Sequence, residues 1–158
     1  MAKDILTTQD LTSYFYKELE RINDKQIFPL HKSIIFYCSN LLSEYAVCNK
    51  LYDERDDKYY EKIMGLSLLS VVTLDDKNKF KRLKEIADTS IMLCGYFVES
   101  IGKKILGLNY YKKIGIFSYL ELDKISPDYR DQPSFFKIMA NTYDFIIKTF
   151  QIHKAPLS

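Results

Sequence analysis

Apolar residues recur at three- and four-residue steps in five separate windows of this chain, the spacing of an amphipathic helix. Thr7 followed by Asp10 makes a capping-box-like start, and Leu11, Phe15, Leu19 and Ile22 then share a face, which predicts a first helix ending near Asn23. Pro29 suits a first helical position, and Ile34, Ile35, Cys38, Leu41, Leu42 and Tyr45 predict a second helix reaching as far as Leu51. The charged run Asp53 to Asp57 reads as a solvated connection. A shorter third helix is expected from about Tyr59 to Val71, with Ile63, Met64, Ser67 and Leu68 inward. Val71-Val72-Thr73 is the one place for a strand, but it is short and has no partner of similar character.

Thr73 and Asp76 repeat the capping spacing ahead of a fourth helix, whose stripe is Phe80, Leu83, Ala87, Ile91, Cys94 and Val98. Asn109 can cap a fifth helix from Tyr110 to about Asp123. Pro127 and Pro133 punctuate a loop, because proline cannot continue a helix interior. A sixth helix buries Phe135, Phe136, Met139, Tyr143, Ile146, Ile147 and Phe150. Residues 1–6 and 152–158 are expected to fray. The pattern predicts an all-α, single-domain bundle of about six helices over residues 1–158.

Composition narrows the class without naming a function. An apolar fraction of 47% and an aromatic fraction of 15% exclude a disordered chain. The formal charge of +2 is too small to imply a nucleic-acid or membrane partner by itself. Cys38, Cys48 and Cys94 are odd in number and scattered, which suits buried thiols in a reducing compartment better than a disulfide framework. The polar N-terminus lacks the apolar core of a signal peptide, and the longest apolar run, Ile91 to Val98, is far shorter than the ~20 residues of a membrane span. A cytoplasmic protein without a membrane span is expected.

The richest stretch runs from Arg82 to Tyr119. Asp88 sits where a charge-studded helix becomes nearly continuous hydrophobe, so its carboxylate should be hydrogen-bonded or paired. Arg82, Lys84 or a tyrosine hydroxyl of the fifth helix are the candidate partners. Asp88 is read as a structural acid, with a general base or ligand contact as the sharper alternative. Ser90, Tyr111 and Tyr119 are the residues that would line a ligand pocket beside it. Gly95, inside a helix, costs about 1 kcal/mol relative to alanine, and Gly115 lies on a matching strip of small residues with Ser118. Both glycines are read as crossing points of closely packed helices, a cleft floor being the alternative.

Asp88-x-Ser90, Gly95-Tyr96-Phe97 and Tyr110-Tyr111-x-x-x-Gly115-x-x-Ser118-Tyr119 together resemble the pattern of an uncharacterised family of small all-helical bacterial proteins. Ala87 stands where that pattern has glycine, and Ser118 where it often has alanine. The likeness covers roughly a quarter of the chain; it implies an all-helical bacterial protein and lends no reaction.

The chain offers no catalytic constellation. A nucleophile–base pair needs a histidine near a serine or cysteine, and only His31 and His153 exist, both read as surface residues. No CxxC, no Glu-x-x-His and no i, i+4 histidine spacing suggests a metal, and no phosphate loop suggests a nucleotide. No cofactor is expected. Lys77, Lys79, Lys81, Arg82 and Lys84, with Lys103, Lys104, Lys112 and Lys113, read as a solubilising surface, so nucleic acid is disfavoured. The leading expectation is a non-catalytic interaction module, a homodimer or an adaptor for another protein. The alternative is a sensor or carrier holding a small ligand near Asp88, Tyr111 and Tyr119.

Overall fold

The computed structural model describes residues 8–48, 71–101 and 107–155, and among them no strand occurs. Among the described residues six helices carry the fold: α1 (Thr8–Asn23), α2 (Lys32–Cys48), α3 (Asp76–Gly95), α4 (Leu108–Ile125), α5 (Phe135–Asn141) and α6 (Tyr143–Lys154). A single helical turn at Val98–Ile101 and two 3-10 turns, Val71–Thr73 and Tyr129–Asp131, complete them. The fold is all-α, as the hydrophobic periodicity predicts. The third helix expected at 59–71 lies outside the described residues but for Val71, which opens a 3-10 turn.

Chain contacts divide the protein into two compact units, residues 1–53 with 152–158, and residues 54–151. In the first, α1 packs on α2 and buries Leu19, Leu30, Ile34, Ile35, Cys38, Leu41 and Leu42. A polar seam runs between the two helices. Thr12 Oγ1 lies 2.9 Å from Ser43 Oγ, while Ser43 and Ser39 donate back to the carbonyls of Ser39 and Ile35. Helix α2 starts later than Pro29 suggests. The Ser33 amide in its first turn is taken by His31 Nδ1 at 3.1 Å, so the histidine does the capping. The last turn of α6 belongs to this unit and is helical through Lys154, where fraying was expected.

In the second unit α3 packs along α4, and α4 along α5. The cap of α3 is Asp75, whose carboxylate accepts the Asn78 amide at 2.9 Å, rather than Thr73, which is held in the preceding 3-10 turn. Helix α4 starts at Leu108, with Gly107 rather than Asn109 at its cap. Two helices end earlier than their stripes imply. α3 stops at Gly95, short of Val98, where a poor helix former meets Phe150; the Tyr96 ring then tilts over the same phenylalanine at 4.9 Å. The stripe from Phe135 to Phe150 is broken at Thr142, whose hydroxyl donates to the Ile138 carbonyl at 2.6 Å. Threonine back-bonding of this kind bends a helix. Tyr129, Phe135, Phe136, Phe80 and Tyr119 form an aromatic cluster, its closest pair being Tyr129 and Phe136 with centroids 4.6 Å apart.

His153 is part-buried rather than a free surface residue. Its Nε2 lies 3.8 Å from Glu18 Oε1 and its ring meets Phe15 edge-on. Burial pushes the imidazole below its ordinary value of 6.5; the Glu18 carboxylate pulls against that, and Arg21 reinforces it. The unfolded chain therefore binds more protons than the folded one between the lowered value and 6.5. Stability should rise with pH through that window and lose this contribution below it. Urea midpoints measured from about pH 5 to pH 8 should show this slope, and His153→Gln should flatten it. An unchanged slope in the variant would contradict the assignment.

Candidate functional site

The residues singled out between Asp88 and Tyr119 converge where α3, α4 and α6 meet in the second unit. Asp88 is 5% exposed. Its Oδ1 accepts the Tyr119 hydroxyl at 2.8 Å, and its Oδ2 meets Lys84 Nζ at 2.8 Å. The spacing of Lys84 and Asp88, one turn apart on α3, places both on the same flank. Tyr119 is fully buried, so its hydroxyl requires an acceptor, and the carboxylate supplies one. Arg82, the other basic candidate, is exposed.

Ser90 makes the second set of bonds. Its hydroxyl donates to the main-chain carbonyl of Tyr111 across the helix pair, and its Oγ lies 2.7 Å from the Tyr143 hydroxyl. A hydroxyl has one proton to give; with the Ser90 proton on the carbonyl, Tyr143 donates to Ser90. Tyr143 Oη is also 3.9 Å from Cys94 Sγ. Burial, above all, pushes the Tyr143 phenol well above its ordinary value, so it remains a neutral donor. Burial also pushes the Cys94 thiol up to about 11, which leaves a packed sulfhydryl with little thiolate at neutral pH.

Gly115 makes this meeting possible. A Cβ there would lie 2.5 Å from both Ser90 Oγ and Tyr143 Oη, closer than real contacts allow. Gly115 is four residues after Tyr111, so the missing side chain opens the line along which Ser90 reaches that carbonyl. Gly95 is used differently, its absent Cβ making room for the Phe150 ring, 2.6 Å away at Cδ2. The two glycines therefore serve two separate contacts rather than one matched strip. Ser118 is buried on α4, and its hydroxyl has no hydrogen-bond partner among the described residues.

Asp88 with Tyr119, and Ser90 with Tyr111, are thus brought together as pairs. Tyr111 enters through its backbone, while its buried ring packs edge-on with Tyr110 at 5.3 Å. Tyr143 is the member that sequence reasoning missed, because it fits the apolar stripe of its helix. The signal was there in a tyrosine at an inward position, since a buried phenol needs a partner. Among the described residues no three His, Cys, Asp or Glu side chains gather to hold a metal. No family model, curated protein or solved structure matches the chain.

Asp88→Asn should be mild, because the amide oxygen can still accept from Tyr119. Asp88→Ala should cost about 1–3 kcal/mol in urea unfolding, since it strips a buried hydroxyl of its carboxylate acceptor. Fully stable variants of both kinds would mean that the carboxylate is held there for something other than the fold.

Proposed function

We propose that this chain is a non-catalytic helical interaction module that works through a protein partner, either a second copy of itself or another protein for which it is an adaptor. The observation that carries the reading is how the buried polar groups are employed. Asp88, Ser90, Tyr119 and Tyr143 bond one helix to another. A general base or nucleophile has to reach a substrate proton or carbonyl within hydrogen-bond distance. A carrier built on Asp88, Tyr111 and Tyr119 would have to exchange the Asp88–Tyr119 bond for ligand bonds, at a cost for any buried group left over. An interaction module needs no such exchange. The likeness to small helical bacterial proteins and a cytoplasmic setting fit the same reading.

Apolar surface is available for docking on α4. Phe117 is 49% exposed, and Leu120, one turn on, is also exposed. Aromatic anchors of this kind carry much of the energy in protein interfaces. A photo-reactive phenylalanine analogue at position 117, irradiated in cells, should trap one discrete product containing a second copy or one other protein. The same probe at the exposed position of Lys77 should not. The same product from both positions, or none from 117, would contradict the proposal.

A further inference from the structure

The two most exposed large hydrophobic residues among those described are neighbours at one loop tip. Ile27 is 89% exposed and Phe28 72%, and Pro29 beside them is exposed too. Single exposed apolar residues are ordinary, whereas an adjacent pair at the apex of a built loop needs a reason. This loop is built. Asn23, buried at the end of α1, donates from Nδ2 to the Leu30 carbonyl at 2.9 Å and accepts the Leu30 amide at its Oδ1 at 2.7 Å. One side chain thus closes the base of the loop as a backbone pair would, and buried Leu30 anchors it. Turns from Lys25 to Ile22 and from Gln26 to Asn23 shape the rising limb. Residues 24–29 are held out from that clamp.

Basic side chains outnumber acidic ones around the tip. Between residues 20 and 32 the chain has Arg21, Lys25 and Lys32 against Glu20 and Asp24, an excess of +1. Arg21 is shared with Glu18, but Lys25 and Lys32 flank the apolar tip directly. The first turn of α2 contains no carboxylate, so the positive end of its dipole is left to add to that field.

We propose that the α1–α2 loop is a membrane-interface anchor that inserts Ile27 and Phe28 at the surface of an anionic bilayer, with Lys25 and Lys32 at the level of the lipid phosphates. Size favours a lipid over a protein surface. Two side chains and a proline fall far short of the ~800 Å² per partner of a standard protein interface, whereas interfacial insertion needs only a short apolar wedge and basic flanks. The binding is peripheral and reversible, in keeping with the absence, among the described residues, of any helix long and apolar enough to cross a membrane. Docking through Phe117 concerns the other compact unit, and neither surface requires the other.

The chain contains no tryptophan, so Phe28→Trp supplies a single reporter at the tip. The full-length F28W protein should shift its emission to the blue with vesicles containing about one-third phosphatidylglycerol in phosphatidylcholine, and brominated acyl chains should quench it; Phe117→Trp should do neither. Lys25→Ala and Lys32→Ala should each weaken partitioning about fivefold in co-sedimentation, and added salt should weaken it further. Ile27→Asp with Phe28→Asp, both at exposed positions, should abolish retention while the circular dichroism spectrum stays that of the parent. A wild-type protein that stays in the supernatant would overturn the proposal, as would retention undiminished in the double aspartate variant. A discrete protein cross-link from a photo-reactive residue at position 28, without any vesicle binding by the wild type, would assign the loop to a protein partner and overturn it equally.

Discussion

Ser90 reaches across from α3 to the main-chain carbonyl of Tyr111, and it can do so only because residue 115 has no side chain. A helix carbonyl is normally screened from a neighbouring helix by the residue one turn on. Glycine at that position lowers local helix propensity by about 1 kcal/mol, and a hydrogen bond between helices offsets part of that cost. Tyr143 then fills the same gap from α6, donating to Ser90 and lying against Cys94. Three helices are registered by one hydroxyl. The Lys84–Asp88–Tyr119 set repeats the device on the next flank, with a carboxylate in place of the serine. Buried polar networks of this type fix a unique arrangement when each member is satisfied.

The helices were legible because their apolar stripes are wide and their period is clear. Ends and breaks were not. His31 and Asp75 cap helices whose starts Pro29 and Thr73 seemed to mark, since a nearby side chain that can reach a free amide outcompetes a motif at the expected spacing. The bend at Thr142 follows from a side-chain bond to Ile138, which a stripe of hydrophobic residues does not report.

The site was legible in its members more than in their roles. Asp88 at the border of charged and apolar helix had to find a partner, and Lys84 and Tyr119 were both within the anticipated set. Tyr111 drew attention as a phenol, yet its contribution to the Ser90 bond is its carbonyl. Tyr143 stayed hidden because its helix stripe accounts for it equally well as a hydrophobe. Which tertiary neighbour a residue meets depends on how helices cross, and a single chain's periodicity carries little of that information. Inside, Asp88, Ser90, Tyr119 and Tyr143 bond helix to helix; outside, Ile27 and Phe28 are held in water by a buried asparagine clamp.

The central claim is that Ser90 and Tyr143 act together as a structural clasp at Gly115, and a double-mutant cycle tests it most directly. Urea unfolding of Ser90→Ala, Tyr143→Phe and the combined variant should show each single change costing about 1–3 kcal/mol, with a coupling of roughly 0.5 kcal/mol or more between them. Removing both partners should therefore cost less than the sum. Additive effects, or single variants as stable as the parent, would contradict the clasp.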